Sequence, residues 1–124
     1  MIVLPAAKGA TKSVTLTTTD DYQWVAIGSS SPMLILSYLL KNLGEESAEY
    51  KILLSRQDID APEDFDDEDF RLAELVGETA LAADASATSA QDGVDIHHGL
   101  VVVGVKSAAA GTPTSVYVHL GVSV

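Results

Sequence analysis

Residues 115–124, SVYVHLGVSV, place Val116, Val118, Leu120, Val122 and Val124 at every second position, with Tyr117, His119, Gly121 and Ser123 between them. A period of two is the geometry of a β-strand, whose successive side chains point to opposite faces. This stretch therefore predicts a strand with one face on a core and the other wet or bound. The same constraint recurs along the chain. Residues 12–18 (KSVTLTT) alternate Val14 and Leu16 with hydroxyl residues, and residues 22–27 (YQWVAI) combine aromatic and β-branched types before Gly28, three serines and Pro32. Both patterns favour strands ended by turn chemistry.

Two further pairs of segments complete the expectation. Residues 33–40 are apolar enough for a helix or a buried strand, but the loop before them and the turn at 42–44 leave them short, which favours a strand. They are expected to form a hairpin with residues 50–54 (YKILL). Residues 99–105 (GLVVVGV) and 115–124 are expected to be long antiparallel partners, joined through Gly111, Thr112 and Pro113 as turn formers. Residues 79–89, rich in Ala, Ser and Thr, read either as a small-residue strand or as an extended arm. One short helix is expected near 66–76, with acids ahead of it, a weak stripe of Phe70, Ala73, Leu75 and Val76, and Gly77 as a stop. The predicted fold is mainly β: an antiparallel β-sandwich or jelly-roll-like domain of about seven or eight short strands. A chain of 124 residues is expected to form one domain over 1–124, with residues 1–12 as an extended N-terminal arm.

Charge narrows the partners. There are 18 Asp plus Glu against 7 Lys plus Arg, a formal charge of −11. A chain of this sign lacks the basic footprint that phosphate backbones and anionic membranes select, so neither nucleic acid nor membrane is an expected partner. The most apolar stretch, 33–40, is interrupted by Ser37 and Tyr38 and is far below the roughly 20 residues of a spanning helix. The N-terminus does not follow the charged-then-apolar order of a signal peptide. The acidity is also local. Asp58, Asp60, Glu63, Asp64, Asp66, Asp67, Glu68 and Asp69 lie within residues 58–69, and without these eight the balance is 10 acids against 7 bases, or −3.

Several chemistries can be weighed from spacing. An acidic loop supplies the oxygen ligands that Ca²⁺ prefers, which makes Asp58, Asp60, Asp64 and Asp66 candidate calcium ligands. The EF-hand register fails, because Pro62 and Glu63 stand at the fifth and sixth positions counted from Asp58, where a sharp glycine turn is needed. A solvated acidic loop is the competing reading. His97 and His98 are adjacent, so on a strand only one of them can join His119 at a metal. Gly99 and Gly104 have the spacing of a phosphate loop, but Val105 stands before Lys106 and the intervening residues are strand formers. No G-x-S-x-G elbow is present, and no cysteine, which removes disulfides, thiolate metal sites and a thiol nucleophile. No catalytic residue and no cofactor follow from the sequence. Tyr22 and Trp24, two apart, share one strand face and are read as core packing ahead of a ligand-stacking role.

A small cysteine-free chain rich in Ala, Ser, Thr, Val and Gly, with a Thr-rich early strand, an apolar middle, a long central loop and a closing GTPTSVYVHLGVSV, resembles tailed-phage virion proteins of the capsid decoration or head-stabilising type. That resemblance implies a non-enzymatic structural protein of the virion, assembled in the host cytoplasm. It implies binding to a viral capsid or another virion protein, and a homo-oligomer, as a trimer. It carries over no functional residue. Two other readings stand beside it: a small acidic inhibitor that mimics DNA and binds a basic protein, and a metal-dependent, cupin-like β-barrel enzyme using His97 or His98 with His119.

Overall fold

The computed structural model describes residues 2–4, 11–28, 33–56, 71–95 and 99–123. Nine strands run through them: β1 (Ile2–Leu4), β2 (Thr11–Thr17), β3 (Gln23–Gly28), β4 (Met33–Asn42), β5 (Ala48–Arg56), β6 (Arg71–Leu81), β7 (Ser86–Asp95), β8 (Gly99–Ser107) and β9 (Ser115–Ser123). They form two sheets. The first has the order β1-β3-β8-β5-β6 and the second β2-β9-β4-β7.

The order has a simple origin. β2 pairs with β9, β3 with β8, β4 with β7 and β5 with β6, all antiparallel, so the pairings are nested like the two arms of one long hairpin. Rolling that ribbon into two layers brings β4 beside β9 and β5 beside β8, again antiparallel. This is the antiparallel sandwich of jelly-roll type expected from the sequence. β1 is an addition, pairing parallel with β3 through Ile2 to Val25 and Leu4 to Ile27. Within residues 1–12, then, Ile2–Leu4 joins the chain's own sheet, and Thr11 already opens β2.

The positions of the strands match the sequence pattern better than their partners do. Residues 33–40 and 50–54 are strands, but β4 and β5 lie in different sheets and form no hairpin. β8 and β9 are likewise not neighbours: β8 lies between β3 and β5, and β9 between β2 and β4. The reason is burial. Each of these strands carries an apolar face, and stacking two such faces removes both from water, whereas pairing them within one sheet would leave the shared face uncovered. The helix expected near 66–76 does not form over its described part, because Arg71–Leu81 is a strand with Ala73 opposite Leu54 and Val76 opposite Ile52. An apolar stripe as weak as this one yields to hydrogen bonds offered by an open neighbouring strand. Residues 66–70 lie outside the described set. The 79–89 stretch divides into the end of β6, a turn and the start of β7. In that turn Ala85 N donates to Ala82 O at 3.0 Å, and Asp84 takes the left-handed conformation at φ 59°, which a short polar side chain tolerates.

Val25, Ile52, Val101, Val103 and Val105 from the first sheet meet Tyr38, Leu40, Val116, Val118 and Leu120 from the second, and all are buried. One pole of the sandwich is sealed by polar groups. Asn42, 0% exposed, donates from Nδ2 to Glu46 O (2.6 Å) and Leu81 O (3.1 Å). Its Oδ1 accepts from Gly44 N (3.1 Å) and Thr114 Oγ1 (2.7 Å). Thr18 Oγ1 accepts from Thr114 N at 2.9 Å and lies 2.8 Å from Ser107 Oγ. Each polar group buried here thus has a partner, which is the condition for burying it without penalty.

Candidate functional site

The outer face of the first sheet carries the densest chemistry. In register across three strands, Trp24 on β3 stands opposite Gly104 on β8, and Gly104 stands opposite Lys51 on β5. Val25 belongs to the core between the sheets, so Trp24, next along β3, points to the opposite face, where it and Tyr22 are half-buried. The pair expected in the core is therefore on the surface of the sheet. The Tyr22 and Trp24 rings lie with centroids 5.2 Å apart and planes inclined by 30°. Gly104 makes room for them. A Cβ there would come within 2.5 Å of Trp24 Cζ3 and 2.9 Å of Tyr22 Cδ1, so only a glycine lets both rings rest on the backbone of β8.

Charges ring the aromatics. Lys51 Nζ lies 4.4 Å from the Tyr22 ring centroid and 5.4 Å from that of Trp24, and Lys106 Nζ lies 5.1 Å from Tyr22. These are cation–π distances. Lys106 also reaches Glu49 at 3.5 Å and Glu78 at 3.8 Å. The two carboxyl groups are hydrogen-bonded to each other. That bond raises the Glu49 pKa above its ordinary value, with burial and the Glu78 charge adding to it and Lys106 opposing. The same bond lowers the Glu78 pKa, helped by the Tyr22 hydroxyl, Lys106 and Lys51.

The sign of the pH effect follows from these directions. Stability held by the Glu49 proton is present at acid pH and is lost as pH rises through its raised pKa. Stability held by ionised Glu78 is present above the ordinary carboxyl range and is lost as pH falls through its lowered pKa. Glu49→Gln keeps a donor toward Glu78 at every pH. The variant is expected to melt about 1–3 °C above the wild type at pH 7–8 and level with it near pH 4, a small effect because the pair is partly solvated. Thermal melts across that range read it directly, and a variant less stable than wild type at pH 8 would contradict the shared proton.

His119 lies on the opposite side of the molecule. Val118 and Leu120 are buried, so Tyr117 and His119 face outward from the second sheet, as the alternation predicts. Their rings are 6.3 Å apart, and Tyr117 Oη lies 3.5 Å from His119 Nδ1. The register neighbours of His119 are Ser13 and Leu39. Among the described residues no three His, Cys, Asp or Glu side chains are grouped to hold a metal. Asp58, Asp60, Asp64, Asp66, His97 and His98 lie outside the described residues. Lys51, Lys106, Glu49 and Glu78 have no motif in the sequence. They meet only because β5, β6 and β8 are adjacent in the sheet.

No protein-family model and no curated protein sequence matches the chain. Solved structures do resemble it. The crystal structure of PirA superposes with a TM-score of 0.51 at 9% identity, covering 89% of this chain and 92% of that one. The pre-peptidase C-terminal domain of collagenase from Bacillus anthracis gives a TM-score of 0.45 at 11% identity, covering 95% and 93%. At such identity the likeness to PirA is one of fold.

Proposed function

We propose that this chain is a structural virion protein that binds and stabilises a viral capsid or related assembly, with the patch around Tyr22 and Trp24 on the outer face of the first sheet as its contact surface. The observation that carries this reading is the Tyr22 and Trp24 pair seated on Gly104 within a ring of Lys51, Lys106, Glu49 and Glu78. Aromatic anchors surrounded by charged groups have the anatomy of a protein–protein contact, in which one or two large rings supply most of the binding energy and the charged rim sets orientation. The charges here already satisfy one another, so desolvating the patch strands no lone ion. The jelly-roll fold occurs in viral capsid domains, and it supports the reading by analogy only.

The reading is tested by co-sedimentation with capsids of the virus that encodes the chain. Wild-type protein is expected to pellet with the shells, and Trp24→Ala is expected to weaken binding at least tenfold while its far-ultraviolet circular dichroism stays unchanged. Wild-type protein that remains in the supernatant would overturn the proposal. Binding left intact in the Trp24→Ala and Tyr22→Ala variants would remove this face from it.

A further inference from the structure

A sheet edge is a row of unpaired backbone donors and acceptors, and folded chains blunt such edges by brevity, bulges, proline or charge. Among the described residues, three of the four sheet edges are blunted. β1 has three residues, β6 breaks register with β5 at three points, and β7 breaks register with β4 between Leu34 and Leu36. β2 is different. Its pairing with β9 runs without a shift from Thr11 opposite Gly121 to Thr17 opposite Ser115, and among the described residues no strand pairs with its other side. Its sequence, TKSVTLT, contains no proline and no acid, and it carries one charge, Lys12. Val14 and Leu16 pack on the core yet stay only partly buried, while Ser13, Thr15 and Thr17 are exposed.

We infer that β2 is the pairing edge for a second copy of this chain, joined antiparallel about a two-fold axis at Thr15 into one continuous eight-stranded sheet. This inference does not depend on the capsid reading. The register is fixed by three requirements. Inward residues must meet inward residues, and a centre at Thr15 sets Val14 opposite the second copy's Leu16, completing the burial that the single chain leaves half done. It sets Ser13 opposite Thr17 and Thr15 opposite Thr15 on the other face, where cross-strand hydroxyl pairs are favourable. It also keeps the two Lys12 positions at opposite ends, each beside the strand end that leads to Asp20 and Asp21. For two chains of formal charge −11, an acid-free contact segment is where association meets least repulsion. A two-fold pairing gives a dimer, or an assembly built of dimers, in place of the trimer expected from resemblance.

The absence of native cysteine allows a direct test. Antiparallel partners directly opposite each other have Cα atoms about 4.5–5.5 Å apart, within the span of a disulfide. Thr15→Cys, oxidised with glutathione disulfide, is expected to give a disulfide-linked dimer at least tenfold faster than Ser13→Cys, whose equivalent position lies two residues off the axis. Native mass measurement is expected to show a dimer for the wild type. Thr15→Lys places two ammonium groups at the axis on an exposed position, and is expected to weaken the dimer at least tenfold with unchanged circular dichroism. A monomer or a trimer for the wild type, equal crosslinking of the two cysteine variants, or capture of another protein's strand by β2 in place of a second copy would each overturn the inference.

Discussion

Truncating Leu120 to alanine is expected to lower the free energy of unfolding by about 3–5 kcal/mol, a large part of the roughly 5–15 kcal/mol that holds a domain of this size. Leu120 is fully buried near the middle of β9, in register with Tyr38 on β4, and faces the valines of the first sheet. β9 has a paired strand on either side, so its backbone has little freedom to move inward and close the void that the smaller side chain would leave. In urea the midpoint should fall with little change in slope, since the surface exposed on unfolding is nearly unchanged. A loss below about 1 kcal/mol would mean that the two sheets do not stack on this residue.

The second large effect is polar. Asn42→Ala is expected to cost about 3 kcal/mol, more than the typical 1 kcal/mol of a single hydrogen bond. Four bonds converge on this one buried amide, from Gly44 N and Thr114 Oγ1 and to Glu46 O and Leu81 O. Removing it leaves the Leu81 carbonyl and the Thr114 hydroxyl buried without that partner, and a methyl group replaces neither. Asn42→Asp should be no better, because it keeps the acceptor, loses both donors and buries a charge. Chemical denaturation gives the magnitude. Native-state hydrogen exchange should show Gly44 and Leu43 losing protection first, since Leu43 N donates to Ser115 O beside the same cluster. An Asn42→Ala variant within 1 kcal/mol of wild type would mean that water takes over the amide's role.

Strand positions were legible because a period of two is a local property of the chain. Val116, Val118 and Leu120 announce a buried face whatever lies beside them. Pairing is not local. The hairpins expected for β4 with β5 and for β8 with β9 follow from sequence adjacency, yet those strands bury more by facing each other across the sandwich. Gly104 makes the same point for the site. On sequence it belongs to a failed phosphate-loop pattern, and in the fold it is the floor under two aromatic rings from residues about eighty positions earlier. The faces of Tyr22 and Trp24 are not legible in the sequence, because alternation alone states that two residues share a side, not which side. Asn42 looks like a turn residue in sequence. Its position as a fourfold-bonded plug depends on Leu81 and Thr114, which only the closed sandwich brings to it.

The nested pairing also dictates when the molecule can be finished. Thr18 and Thr114 bond across 96 positions of chain, and β9 supplies the middle of a sheet whose other members, β2, β4 and β7, all precede it. At a synthesis rate of about 5–20 residues per second, β9 is made about 5–20 s after β2. Until then the side of β2 that β9 covers in the finished sheet has no partner strand. Assembly of the second sheet is therefore a step that follows translation of β9, and the order of manufacture sets the order of folding.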